Sequence, residues 1–420
     1  MENYAIVLFI LALMIVLSSL ADRIKLPYPI LLITAGITIG FIPSMPQVQL
    51  DPEIVFLIFL PPLLYDAAFN ISFKEFRTNI NTITTLAIPL VFMTASAIAV
   101  VGHYLIGMSW PVSFVLGAIL SATDAVAAMS ITKGLGLSHK TNTILEGESL
   151  VNDASALVAY RFAVAAVTGT SFVIWKASLT FLILLGGGFL VGLLVGRLLG
   201  FILLRVQHNA LVTISFMLLM PFVTYLIAEE LHVSGVIAVV VLGLSIAHLS
   251  RKVFPENLKA ESRTIWDIII FMLNGLIFIL IGLELPYVLR SIENADIGLY
   301  SLYALIITLV ALGIRMARVF LQKINLQKGF QKDSRKIKEE ELLDFGNSLI
   351  ISWSGMRGIV SLAIAIGLPE NLADGSPFPH RHAIIFISVM VVLFTLVGQG
   401  LSLPWIIKKF GHHPGPQRKR

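Results

Sequence analysis

SATDAVAAMSITKGLGLSHKTNTILEGESLVNDASALVAY, residues 121–160, is two apolar segments joined by a short basic loop, and both segments carry carboxylates. Asp124 sits in the first; Glu146, Glu148 and Asp153 sit in the second. A charged side chain at bilayer depth is expensive, so such a group faces a cavity, finds a partner or marks an ion pathway. The stretch therefore predicts a membrane-embedded site that handles cations or protons.

The rest of the chain has the composition such a site needs around it. Of its 420 residues, 57% are hydrophobic and 13% charged, with a mean hydropathy of +0.89. That charged fraction is about half the one usual in soluble domains, so the predicted class is an all-α polytopic membrane protein. Cysteine is absent, which excludes a disulfide framework, thiol catalysis and a cysteine metal site. No G-x-x-x-x-G-K-[ST] run occurs, so nucleotide-driven pumping is not expected. Met1–Leu20 has Glu2 and no basic residue ahead of its apolar run, and no small-residue cleavage site precedes Asp22-Arg23. It reads as a retained first span rather than a signal peptide.

A spanning helix needs about 20 apolar residues. That length yields about 13 segments, at 4–20, 28–43, 53–71, 82–104, 111–131, 145–168, 172–204, 209–228, 233–248, 262–284, 297–320, 347–368 and 382–407. With the N-terminus outside, the inner loops collect Arg23, Lys25, Lys74, Arg77, Lys133, Lys140, Arg205, Arg251, Lys252, Lys259 and Arg263. They also collect Lys323, Lys328, Lys332, Arg335, Lys336 and Lys338, and the C-terminus adds Lys408, Lys409, Arg418, Lys419 and Arg420. The outer loops hold Lys176, Arg290 and Arg381. This asymmetry predicts an odd number of spans with a cytoplasmic C-terminus. Thirteen divides as six, one and six, the plan of inverted six-helix repeats in secondary transporters. The fifth segment is interrupted at Ser121–Asp124 and the twelfth at Ser352–Gly358. Interruptions in corresponding halves point to the substrate site.

Residues three or four apart share a helix face. Ser149 stacks on Asp153, an oxygen cluster suited to a small dehydrated cation, while Glu148 stacks on Asn152. Asp124, after Thr123, could cap a half-helix or line the ion site, and the two roles are compatible. Arg357 lies in the second interruption and needs an acid, Glu148 first and Asp124 second. Asp66 follows the Pro61-Pro62 bend and reads either as an interfacial acid or as part of the ion path. Arg197, Arg315 and Arg318 sit near inner ends of their apolar segments and read as snorkelling. Glu229, Glu230 and Glu284 sit near outer ends, and Arg161, two turns beyond Asp153, reads either as a balance to the core charge or as an interface anchor. Gly188, Gly192, Gly196 and Gly200 form a stripe that serves either a dimer contact or packing within the protomer.

FLPPLLYDAAF at 59–69, SATDAVA at 121–127, EGESLVNDA at 146–154 and SGMRGIVSLAIAIGLP at 354–369 resemble, in order, the motifs of the first family of cation:proton antiporters, the NhaP and NHE type. The resemblance implies thirteen helices in an inverted repeat, with crossed, discontinuous helices five and twelve. It implies a homodimer in which a core domain (helices 4–6 and 11–13) moves against a dimer or scaffold domain (helices 1–3 and 7–10). All lie within 1–410, followed by a short basic cytoplasmic tail, 411–420. It further implies that cation and proton compete for Asp153, and that Asn152, Ser149, Thr123 and Asp124 shape the site. Na⁺ would then be held at Asp153, Ser149, Thr123 and Asp66, with Glu148 and Arg357 as a structural ion pair. Ala125 stands where many members carry proline, and the long cytoplasmic regulatory tail of the animal relatives has no counterpart here. Asn152-Asp153, in place of two adjacent aspartates, predicts electroneutral one-for-one exchange of Na⁺, or of Li⁺ or K⁺, for H⁺. No cofactor beyond the transported ions, no enzymatic activity and no nucleic-acid partner are expected, and the expected location is a prokaryotic inner (plasma) membrane.

Three other classes fit less well. A cation channel calls for a repeated pore loop or an oligomeric filter motif. An intramembrane aspartyl protease needs a G-x-G-D partner for Tyr65-Asp66, which the chain lacks. A carrier of organic solutes needs an aromatic centre rather than an acid-rich one.

Overall fold

The computed structural model describes residues 2–24, 27–42, 52–132, 135–168, 174–290, 292, 294–331, 338–372 and 375–411. Of the loop charges considered above, Lys25, Lys133, Lys332, Arg335, Lys336, Arg418, Lys419 and Arg420 lie outside the described residues, as does the tail beyond Gly411. Apart from one isolated bridge between Asn371 and Pro377, the described secondary structure is helical. Among the described residues, eight helical stretches are long and apolar enough to cross a membrane, and four shorter apolar helices accompany them. Several segments that hydropathy alone renders as continuous spans are divided, because hydropathy registers apolar character and not backbone continuity.

The chain forms two compact units. The first comprises residues 1–49, 74–168 and 275–420; the second comprises 50–73 and 169–274. In chain order the helices are α1 (Glu2–Ile24), α2 (Tyr28–Gly40), α3 (Pro52–Asn70), α4 (Phe73–Thr78), α5 (Ile80–Ala87) and α6 (Pro89–Val101). They continue with α7 (Trp110–Ile119), α8 (Ala125–Thr132), α9 (His139–Val167), α10 (Ile174–Val206), α11 (Ala210–Glu230) and α12 (Gly235–Val253). The last six are α13 (Glu256–Arg290), α14 (Asn294–Gln331), α15 (Phe345–Trp353), α16 (Ile359–Ile366), α17 (Arg381–Phe394) and α18 (Gly400–Phe410). The fifth expected span is therefore α7 and α8 with a non-helical link, and the twelfth is α15 and α16 with another. Pro89 divides the fourth span into α5 and α6 because proline offers no N–H to continue the helix.

In the second unit α10, α11, α12 and α3 pack on one another. The glycine stripe of α10 is used inside this unit. A Cβ at Gly188 would meet Ser234 and Ile237, one at Gly192 would meet Ala238 and Val241, and one at Gly196 would meet Ser245. Ser234 caps α12 and the other four lie within it. The dimer-contact reading of the stripe is thereby replaced by close packing within the protomer, where small residues let two backbones approach.

In the first unit a dry cluster gathers Ile83, Leu86, Leu90, Ala125, Ile144, Leu145, Val319, Leu326, Leu343 and Ile351. It draws on α5, α6, α8, α9, α14 and α15, and so binds both parts of the interrupted architecture to α9, the helix of Asp153.

Gly192→Val should lower stability by about 1–3 kcal/mol, the usual cost of overpacking a tight contact. Thermal unfolding in detergent checks this; a wild-type melting temperature would contradict the packing of α10 on α12.

Candidate ion site

Two helices break inside the first unit, and the breaks touch. The backbone N–H of Asp124, after α7 ends, donates to the carbonyl of Met356, after α15 ends, at 2.8 Å. Gly358 faces the Asp124 carboxylate so closely that any Cβ there would collide with it. Glycine at 358 is therefore required by the approach of the acid.

Each loose helix end finds a counter-group. Asp124 Oδ1 accepts from the N–H groups of Val126 and Ala127 at 2.8 and 3.3 Å, capping α8. At the C-terminal end of α7, Arg357 Nε donates to the Leu120 carbonyl at 2.8 Å, and Nη1 donates to the Gly355 carbonyl at 2.8 Å. Arg315 Nε donates to the Ile351 carbonyl in the last turn of α15 at 3.1 Å. Anions at helix N-termini and cations at C-termini complement the aligned peptide dipoles. The Arg357 N–H in turn donates to Thr395 Oγ1 at 3.1 Å, which ties the second break to the turn after α17.

The residues predicted from α9 converge on the first break. Asn152 Nδ2 donates to Thr123 Oγ1 at 2.8 Å and to the Thr123 carbonyl at 3.3 Å. Ser149 Oγ donates to the same carbonyl at 3.3 Å and accepts from the Ala125 N–H at 3.4 Å. Proline at 125 would lack that N–H. Thr123 Oγ1 donates to Glu148 Oε1 at 3.2 Å. Asn152 Oδ1 is buried and accepts no hydrogen bond from any described residue. Asp153 is 7% exposed and lies within the electrostatic reach of Asp124 and Glu148. Thr123, Asp124, Ser149, Asn152 and Asp153 thus form one constellation. Asp66 belongs to the second unit, where its Oδ1 accepts from Asn70 Nδ2 at 2.8 Å.

The ion pair differs from expectation. Glu148 is held by Arg315, not Arg357: Arg315 Nη1 reaches Oε1 and Nη2 reaches Oε2 at 2.8 Å. Glu148 and Arg315 are 1% and 2% exposed. This planar two-point geometry is the strong form of an arginine–carboxylate contact. Arg357 lines the same narrow crevice as Glu148 and Arg315, with Thr94, Ser121 and Thr123, but spends its donors on carbonyls. In the sequence Arg315 reads as an end-of-helix residue because apolar character stops near 320. The helix itself continues to Gln331, so Arg315 is central in α14. The signal available was the run 321–328, free of glycine and proline, which lets the helix carry on past the apolar span.

The likeness to known proteins covers the whole chain. The family described as sodium/hydrogen exchanger, transmembrane, matches residues 8–409, and this protein belongs to it. An uncharacterized Na(+)/H(+) exchanger of Mycobacterium tuberculosis is 35% identical over 407 residues, 96% of this chain and 74% of the relative. A sodium, potassium, lithium and rubidium/H(+) antiporter of Bacillus pumilus is 36% identical over 425 residues, 97% of this chain and 62% of the relative. The Na(+)/H(+) antiporter ApNhaP of Aphanothece halophytica is 33% identical, covering 98% of this chain and 75% of its own. Among solved structures, the sodium proton antiporter MjNhaP1 of Methanocaldococcus jannaschii matches with a TM-score of 0.73 over 98% of this chain and 99% of that one. At 21% identity this is a likeness of fold.

Breaking a buried pair from one side costs about 3–5 kcal/mol. Glu148→Gln and Arg315→Gln should each destabilise by that order, and the double variant by clearly less than the sum. Unfolding in detergent measures the cycle. Simple additivity for Glu148 with Arg315 would contradict the assignment.

Proposed function

We propose that this protein exchanges a monovalent cation for a proton across the membrane, with the two competing for Asp153. The observation that carries this reading is the charge balance around the breaks. Three carboxylates, Asp124, Glu148 and Asp153, share the region with two guanidiniums, Arg315 and Arg357. Asp124 caps a helix and Glu148 is paired. Asp153 makes no hydrogen bond or ion pair with any described residue. One negative charge is therefore left over, and a proton or one monovalent cation neutralises it equally. A buried charge without a partner is costly, so the empty ionised state is disfavoured and exchange is coupled. The same balance supports one-for-one, electroneutral stoichiometry.

The cation is Na⁺ in this reading, held by the Asp153 carboxylate with the Ser149 hydroxyl and Thr123 oxygens, because hard cations favour oxygen donors. The Bacillus pumilus relative, whose name includes potassium, lithium and rubidium, supports testing Li⁺ and K⁺ beside it. Relatives in bacteria support placement in a prokaryotic plasma membrane. The excess of Lys and Arg in alternate loops supports thirteen spans, an outside N-terminus and a cytoplasmic C-terminus. A homodimer and a mobile core bearing α9 are part of the proposal, the dimer contact lying elsewhere than the glycine stripe.

Asp153→Asn should abolish cation-driven proton flux in proteoliposomes, while the purified variant keeps a wild-type melting profile. Retained flux would end the proposal. In the wild type, the cation concentration for half-maximal exchange should rise as pH falls, because protons occupy the shared carboxylate. The exchange rate should not respond to an imposed membrane potential; a transport current would require a second proton carrier.

A further inference from the structure

The start of α9 is stitched to the start of α15 by residues that no motif of the ion site includes. Ser138 caps α9, accepting from the Thr141 N–H at 3.1 Å, and Asp344 caps α15, accepting from the Asn347 N–H at 2.6 Å. Between these two caps Lys140 Nζ donates to the carbonyls of Glu340 and Leu342 at 2.6 and 2.7 Å. Those carbonyls belong to the short turn that leads into α15. Thr141 Oγ1 donates to Asn347 Oδ1 at 2.8 Å, and Ser138 Oγ approaches the same oxygen at 3.5 Å. Asn81 Nδ2 meets Glu341 Oε2 at 3.4 Å, which adds α5 to the stitch. Leu343, within the stitched segment, is 1% exposed in the dry cluster with Ile144, Leu145 and Ile351.

A second tie joins the same two helices further along. Glu148 of α9 holds Arg315, and Arg315 Nε holds the Ile351 carbonyl of α15. Lys140 and Glu148 are eight residues apart, about 12 Å along the helix. Two ties that far apart fix both the separation and the register of a helix pair, whereas one tie leaves a pivot. Beyond the second tie come Ser149, Asn152 and Asp153 on α9, and the break from Ser354 to Gly358 after α15.

We propose that Lys140 is a positioning residue for ion binding: its ammonium clamps the turn before α15 to the head of α9, so that Asp153 and the second break keep one register. It acts through two helices and does not touch the ion. The proposal rests on the exchange reading above, and it assigns Lys140 a role in affinity rather than in folding alone. Removing the ammonium leaves two carbonyls without their donor and leaves the head of α9 held to α15 mainly by the Thr141–Asn347 bond, so the helix pair is freer to turn about the Glu148–Arg315 tie. Arginine, with several N–H donors, can serve both carbonyls.

The test is cation-dependent proton flux in proteoliposomes with Na⁺ varied, supported by melting in detergent. Lys140→Met should raise the Na⁺ concentration for half-maximal exchange by about tenfold, the scale at which groups that orient ion ligands act. Lys140→Arg should stay near wild type. The absence of cysteine permits a rescue: Thr141→Cys with Asn347→Cys, bridged by a short bis-thiosulfonate in the Lys140→Met background, should restore affinity, and reducing agent should remove the effect. A Lys140→Met protein with wild-type half-saturation overturns the proposal. So does a bridge that blocks exchange in the Lys140 background, since the two helices would then slide past each other. If the wild type itself shows no cation-dependent flux, the exchange reading fails instead.

Discussion

Two helices that stop in an apolar interior leave carbonyls and N–H groups that no water can satisfy, and the first unit is organised around meeting that demand. Arg357 takes the Leu120 carbonyl, Arg315 takes the Ile351 carbonyl, and Asp124 takes the first N–H groups of α8. Neither arginine could be buried without an acid to offset desolvation, which explains why Glu148 must sit on the facing helix. The breaks therefore create the charges, and the charges create the site. The single backbone bond from Asp124 to Met356 joins the two breaks, with Gly358 kept free of a side chain so that the acid fits.

From this follows a division of labour among chemically similar groups. Asp124 and Glu148 are committed to a helix end and to a guanidinium, so their charges hold the structure together. Asp153 lies in the same field without such a commitment, one helical turn after Ser149. A carboxylate can serve as exchangeable only if its neighbours do not need its charge to stay folded. The fixed acid Glu148 and the acid Asp153 lie five residues apart on α9, so in the proposed exchange one helix carries both support and exchange at separate positions.

Much of this was legible in the sequence because membrane burial makes charge rare. Acids at 124, 148 and 153, and polar interruptions near 121 and 354, stand out against an apolar background. Both interruptions fall where the helices break. Partner choice was less legible. Arg357, next to two glycines in a break, reads as the natural mate of Glu148, whereas freed carbonyls claim it; a residue string does not display which backbone groups a break leaves open. Arg315 was hidden because α14 extends beyond its apolar stretch. The stripe from Gly188 to Gly200 shows a tight contact but not its partner, and α12 proved to be that partner. The stitch at Lys140 relies on carbonyls some 200 residues away, a relation that local pattern cannot carry.

The most direct measurement is the number of protons released when Na⁺ binds to the purified, detergent-solubilised protein, read by calorimetry in buffers of different ionisation enthalpy. At a pH low enough that Asp153 begins protonated, one proton should leave for each cation bound, and Asp153→Asn should show neither binding nor release. Cation binding with no proton released would contradict competition at a single carboxylate.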